Sequence, residues 1–170
     1  MIHGGIDVGN EGAIVACWPD NSIALCEPMP TINVGTTKKK KMMYDEVAIL
    51  RFLRTIRAMD DDVFFVLEKA QAMPKQGVSS VFNYGTGYGV LRMGLLACSI
   101  PFDLCHPTHW QKPVLYGIEG SNTKARAILK VQRSLPDIPL IRPRCRTPHK
   151  GIADAACMML HARTLRPPPR

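Results

Sequence analysis

The stretch that decides the fold is Met1-Ile-His-Gly-Gly-Ile-Asp7-Val-Gly9-Asn-Glu-Gly12-Ala-Ile-Val15. Ile2 to Ile6 is a short apolar run with two glycines, and Asp7 closes it. Val8 to Gly12 supplies turn residues, and a second apolar run, Ala13 to Trp18, follows at once. This pattern predicts a β-hairpin whose first strand ends in a carboxylate. Beside turn glycines such a carboxylate can face a cation or an incoming phosphate. Equally, it can begin an Asx-turn. The rest of the chain has to decide between the two.

Working outward, residues 22–26 predict a third short strand after the turn at Pro19-Asp20-Asn21, so the chain opens as an antiparallel meander. Glu27 to Thr37 carries two prolines and a glycine and reads as a loop. Lys38, Lys39, Lys40 and Lys41 follow, a run that is either a solvated face or a phosphate contact. Tyr44 to Met59 has helical spacing, with Val47, Leu50, Leu53 and Ile56 on one stripe. Asp60-Asp61-Asp62 resembles a metal cluster but is better read as a solvated turn. Val63 to Leu67 is wholly apolar and of strand length, which suits a buried central strand, and it ends in Glu68.

Two predicted strands from distant parts of the chain therefore each end in a carboxylate. Sites in open α/β sheets sit at strand ends where connections diverge. If these strands are neighbours, Asp7 and Glu68 share that position.

Ala70 to Gly77 reads as a loop. Ser79 is the expected N-cap of a long helix to about Ser99 that contains Gly85, Gly87, Gly89 and Gly94. Each glycine costs helix stability, on the order of 1 kcal/mol against alanine. Their retention implies close packing, either on this chain's own sheet or against a second copy. A short strand, Phe102 to His106, precedes a helix from Pro107 to Tyr116 and another from Thr123 to Ser134 that bears Lys124. Residues 136–148 are irregular and basic, with Arg142, Arg144 and Arg146. The last helix is expected from about Gly151 to Thr164, with Asp154 in its first turn. Residues 1–165 read as a single domain and 166–170 as a disordered basic tail.

Composition narrows the partners. The 170 residues carry a net charge of +8, which favours a polyanion, nucleic acid first. No apolar run approaches the roughly 20 residues of a membrane span. No targeting pattern opens the chain, so the expected location is cytoplasmic, in a bacterial or phage-infected cell. The six cysteines form no C-x-x-C pair, which argues against a zinc site or disulfide framework and for reduced, buried thiols. Three acids brought to one sheet edge, Asp7, Glu68 and Asp154, suit a pair of Mg2+ or Mn2+ ions and phosphodiester hydrolysis.

The order of elements resembles the ribonuclease H-like superfamily, an α/β fold with a mixed five-stranded sheet, antiparallel meander first and parallel strands after, flanked by helices. More closely it resembles the RuvC-type Holliday junction resolvases. Gly5-Ile6-Asp7-Val8-Gly9 is similar to their Gly-Ile-Asp-Pro-Gly opening, with Val8 in place of proline. Leu67-Glu68 is similar to their strand ending in Glu, and Ile152-Ala153-Asp154-Ala155-Ala156 to their Ala-Asp-Ala-Leu helix start. Met73-Pro74-Lys75-Gln76-Gly77 and the glycine-bearing helix after it resemble the chloroplast (monokaryotic chloroplast type) and phage branch. A fourth acid, common in the family just before the last aspartate, is absent, and His149 stands five residues before Asp154.

The resemblance implies a homodimeric, metal-dependent endodeoxyribonuclease that nicks four-way DNA junctions symmetrically, with two metal ions per site. Asp7, Glu68 and Asp154 would hold the metal. His149 would be a further ligand or proton donor, with Lys150 ranked second, as a group stabilising phosphate charge instead. Lys75 and Gln76 would meet the junction centre, and Phe82 or Tyr84 would stack on a base. Lys38 to Lys41, Lys124, Arg142, Arg144 and Arg146 would hold the duplex arms. Two rivals stay open: another ribonuclease H-like nuclease acting on RNA–DNA hybrids, and a nucleic-acid-binding protein with a decayed site.

Overall fold

The computed structural model describes residues 1–37, 39–71 and 77–166. Lys38, the Lys75-Gln76 step and the tail after Arg166 lie outside the described residues. The elements run β1 (Ile2–Asp7), β2 (Ala13–Cys17), β3 (Ile23–Pro28), β4 (Thr31–Asn33), β5 (Met42–Tyr44), α1 (Glu46–Met59), β6 (Val63–Glu68), α2 (Val78–Ala97), β7 (Phe102–Cys105), α3 (Pro107–Val114), α4 (Thr123–Ser134) and α5 (Lys150–Leu165).

One sheet has the order β3-β2-β1-β6-β7. β1–β2 and β2–β3 are antiparallel, whereas β1–β6 and β6–β7 are parallel. The antiparallel meander with two parallel additions is the arrangement expected from the sequence. Alternation along the strands divides two cores. Ile2, Ile6, Ile14, Phe65 and Leu67 pack beneath α1 and α2, while Val15, Phe64 and Val66 face α3, α4 and α5.

α5 is the central helix. All but a few of its residues are buried, and a helix apolar all round belongs in a core. Gly5 explains how close it comes: a Cβ there would overlap the Ala155 carbonyl oxygen. Gly151 does the same at the helix start, where a Cβ would strike the Glu11 carbonyl. Side-chain caps fix the starts of α1 and α4. Asp45 accepts from Ala48 N at 2.9 Å, and Asn122 accepts from Ala125 N at 3.0 Å.

Several boundaries differ from expectation; Tyr44, expected to open the first helix, ends β5, and α1 starts at Glu46. The loop predicted over Glu27 to Thr37 contains the end of β3 and all of β4, which pairs with β5 (Thr31 opposite Tyr44). The Asn33 side chain closes this hairpin, accepting from Gly35 N and Lys41 N at 3.0 Å each. Strands of three residues are too short to show a period of two. The N-cap of α2 is Gly77, not Ser79, and no side chain caps it. α5 starts at Lys150, which puts Asp154 in the second turn and leaves the first without an acid.

Asp60 to Asp62 form a turn, with Asp62 N on Asp60 Oδ1 at 2.7 Å and Arg57 on Asp61 at 2.6 Å. All six cysteines are free; Cys145 is exposed and Cys26 half-buried, the other four buried. Among the described residues no helix is long and apolar enough to cross a membrane.

Candidate active site

β1 and β6 lie side by side, with Ile6 opposite Leu67, so the next residues, Asp7 and Glu68, end adjacent strands together. Both side chains keep a partly exposed edge. Asp154 comes down from α5 and is 5% exposed. Burial raises the Asp7 carboxyl well above the usual range, a hydrogen bond with Glu68 adds to this, and the charges of Glu68 and Asp154 push the same way. Burial also raises Asp154, and Glu68 contributes. Three carboxylates from β1, β6 and α5 thus repel one another in one water-poor position.

One cation relieves them. Lys124, in the first turn of α4, bonds Asp154 Oδ2 through its Nζ. Burial works against the Lys124 charge, but Asp154, Asp7 and Glu68 outweigh it and hold the ammonium above the ordinary lysine value. Asp154 Oδ1 is buried and has no partner. Among the described residues no three His, Cys, Asp or Glu side chains stand in ligating geometry as a set. With its lysine partner, the Asp154 carboxylate is turned to α4 rather than wholly to Asp7 and Glu68.

The donor set still fits a hard divalent ion. It consists of carboxylate oxygens, with one buried oxygen lacking any partner.

The two tyrosines near the site were not both expected there. Tyr84 of α2 is half-buried, and burial followed by the charges of Glu68 and Asp7 raises its hydroxyl above the ordinary tyrosine value. Phe82, 77% exposed, is the more open of the two aromatic rings expected to meet a base. Tyr44, the last residue of β5, is buried; burial chiefly and Asp7 in part push its hydroxyl up to about 12. The β1–β2 turn is tied to these elements. Asn83 donates to Asn10 Oδ1 at 3.2 Å, and Asn10 Nδ2 donates to Met42 O at 3.4 Å.

His149 has a local role. It is the N-cap of α5, its Nδ1 accepting from Ile152 N at 3.1 Å, which leaves Nε2 as the nitrogen open to another partner. Burial first and Arg142 next lower its pKa, against Glu11. The acids that act on Asp7 are Glu68 and Asp154, and those that act on His149 come down to Glu11. The sequence grouped His149 with Asp154 by proximity along the chain, and the helix start separates their surroundings. Arg142, His149, Lys150 and Glu11 instead line a pocket beside the β1–β2 turn. Arg142, Arg144, Arg146, Lys150 and Lys39 to Lys41 are all exposed. Lys124, expected on a duplex arm, lies in the acidic cluster.

No protein-family model matches the chain, and no curated protein does. Solved structures match it from end to end. Thermus thermophilus RuvC in complex with a Holliday junction substrate superposes with a TM-score of 0.66 over 98% of this chain and 95% of that one, at 16% identity. Thermus thermophilus RuvC by itself gives 0.56 over 98% and 96%, also at 16% identity. The fold is ribonuclease H-like. The likeness carries the whole sheet and its helices, so the strand ends bearing Asp7 and Glu68 and the helix bearing Asp154 belong to the shared framework rather than to an appended piece.

Proposed function

We propose that the chain is a RuvC-type Holliday junction resolvase, a metal-dependent endodeoxyribonuclease acting as a homodimer. The observation that carries this reading is the meeting of Asp7, Glu68 and Asp154 at the ends of β1 and β6 under α5, in a fold shared with a RuvC bound to a junction. The Lys75-Gln76 step favours the chloroplast and phage branch.

Asp7, Glu68 and Asp154 would hold two Mg2+ or Mn2+ ions. Bound there, such ions activate a water and offset charge on the leaving oxygen. The chain does the rest. Its carboxylates orient the cations, and the half-buried setting between α2, α4 and the strand ends limits bulk water. The exposed arginines at 142, 144 and 146 and the lysine loop between β4 and β5 hold phosphates of the arms. His149 Nε2, free of the cap bond, would serve as a further ligand, a proton donor or a phosphate contact. Phe82 stacks on an unpaired base.

The dimer reading draws on α2. Val78, Gly85, Gly89 and Leu96 recur at intervals of four or seven, which is one helix face. Val78 is 86% and Leu96 58% exposed, and open space surrounds a Cβ at Gly85 and at Gly89. Gly87 and Gly94 account for the packing within the chain, against the Tyr44 ring and Leu53. A two-fold partner on the open face would set two sites on opposed strands.

A non-catalytic binding protein draws on the Lys124–Asp154 pair, which leaves the acidic cluster partly neutralised. End-labelled four-way junction, linear duplex and RNA–DNA hybrid, each incubated with Mg2+ or EDTA, separate the readings. Paired nicks in the junction alone, lost in EDTA, are the expected result. Preferential cutting of the hybrid, or binding without cutting in Mg2+, overturns it.

A further inference from the structure

Among the described residues, Lys124 is the one charged group that bonds the acidic cluster from another element. Its helix is fixed: Ala127 and Val131 are fully buried beneath α4, and Asn122 caps its start. Its side chain is not fixed in the same way, being 53% exposed while Asp154's is 7%. The stem can therefore leave without disturbing the core, whereas the aspartate cannot. On the other side of Asp154, Oδ1 is buried without a partner. Burying a carboxylate with one oxygen unsatisfied is unfavourable unless a cation shares the site. An ammonium is a single positive charge with tetrahedral donors, and it serves Asp154 alone by hydrogen bond. A divalent ion would serve several carboxylates at once.

We propose that the Lys124 ammonium and a divalent ion compete for Asp154, so that metal loading frees a lysine at the strand ends for a phosphate oxygen. The two positive groups compete for one carboxylate, and the divalent ion repels the ammonium once bound. A displaced, flexible ammonium beside the metal has phosphate as its natural partner. The expected DNA role of Lys124 and its observed pairing are then two states of one residue. This inference rests on the metal-dependent reading of the site, not on the junction as substrate.

The test needs no DNA and no turnover. Mn2+ and Mg2+ are titrated calorimetrically into the wild type and Lys124→Met. In parallel, acetylation of Lys124 by acetic anhydride is followed by mass spectrometry on the wild type, in EDTA and at saturating Mn2+. Exchange predicts that Lys124→Met binds metal about fivefold more tightly, the scale of one partly exposed ion pair. It also predicts that Lys124 is protected in EDTA and labelled several-fold faster with metal. The labelling arm uses the native protein, so it stands even if Lys124→Met folds poorly. Bound metal with Lys124 still protected overturns the exchange while leaving the metal site intact. No heat from either folded protein overturns the exchange and the metal reading together. Exchange in a protein that never cuts a junction supports the inference and removes only the proposed substrate.

Discussion

Gly5 lies directly beneath Ala155: a Cβ on Gly5 would overlap the Ala155 carbonyl oxygen and sit 2.5 Å from the Met159 amide nitrogen. Backbone thus meets backbone where α5 crosses β1. That approach sets the height of Asp154, the preceding residue, above the strand ends. Neither neighbour can rotate away, because both are main-chain atoms of a buried helix. Gly5→Val should therefore lift α5 off the sheet, at a cost of about 3 kcal/mol or more, the upper range for overpacking. Urea denaturation measures it. A loss under about 1 kcal/mol would mean that α5 shifts freely and does not set the site.

The carboxylates should separate cutting from binding. Asp7→Asn, Glu68→Gln and Asp154→Asn keep shape and remove the charge that holds cations. Each should lower junction cutting by at least about a hundredfold, more than the loss of an outer-sphere partner costs. Gel-shift affinity for the junction should hold. Wild-type turnover by any of the three removes that residue from the site.

His3 supplies a pH dependence far from the carboxylates. It is fully buried on β1, and its Nε2 donates to the Arg166 carbonyl at 2.5 Å, which puts a proton on Nε2. Burial chiefly lowers its pKa; Arg163 and the N-terminal amine add to this, while the Arg166 bond and Asp62 oppose it. A folded pKa below the unfolded one gives stability that is present above the unfolded value of about 6.5 and is lost as pH falls through it. His149 and His161 are lowered too, burial again being the first cause, and share the trend. The raised Asp7 and Asp154 carboxyls work the other way, so the readout is a difference: on going from about pH 7.5 to pH 5.5 the wild type should lose more unfolding free energy than His3→Leu, or gain less. Equal slopes would take His3 out of the acid limb.

The framework was legible because it is written in periodicity. The apolar runs before Asp7 and Glu68 are strand-length, and their pairing as neighbours is what makes two terminal acids one site. The third acid was legible by type but not by turn, since nothing in the sequence distinguishes a helix that begins at Lys150 from one that begins at Gly151. The Lys124 contact was invisible. It depends on how α4 packs on α5 thirty residues away, and a lysine near a capped helix start reads as solvated. The half-buried setting of Tyr84 was hidden for a similar reason. On a helix with residues of both kinds all round, spacing alone does not say which aromatic faces inward.

The glycines of α2 were ambiguous in sequence, and their surroundings now divide them. Gly87 and Gly94 are filled from within the chain, and Gly85 and Gly89 open outward. The two pairs should therefore respond oppositely to added volume. Gly87→Ala puts a methyl into the Tyr44 ring and should destabilise the fold. Gly89→Ala meets nothing and should raise the stability of an isolated chain by up to about 1 kcal/mol through helix propensity. Gly89→Leu is the informative change for assembly. If a second copy approaches along Val78, Gly85, Gly89 and Leu96, leucine holds the two helices apart, and sedimentation should show a dimer shifted toward monomer with an intact fold. Paired nicking should then decline before single nicking does, because one site survives in each chain. A wild-type monomer at micromolar concentration, both free and on junction DNA, would refute the dimer. A dimer indifferent to Gly89→Leu would move the interface to another face and leave the open glycines of α2 without a partner.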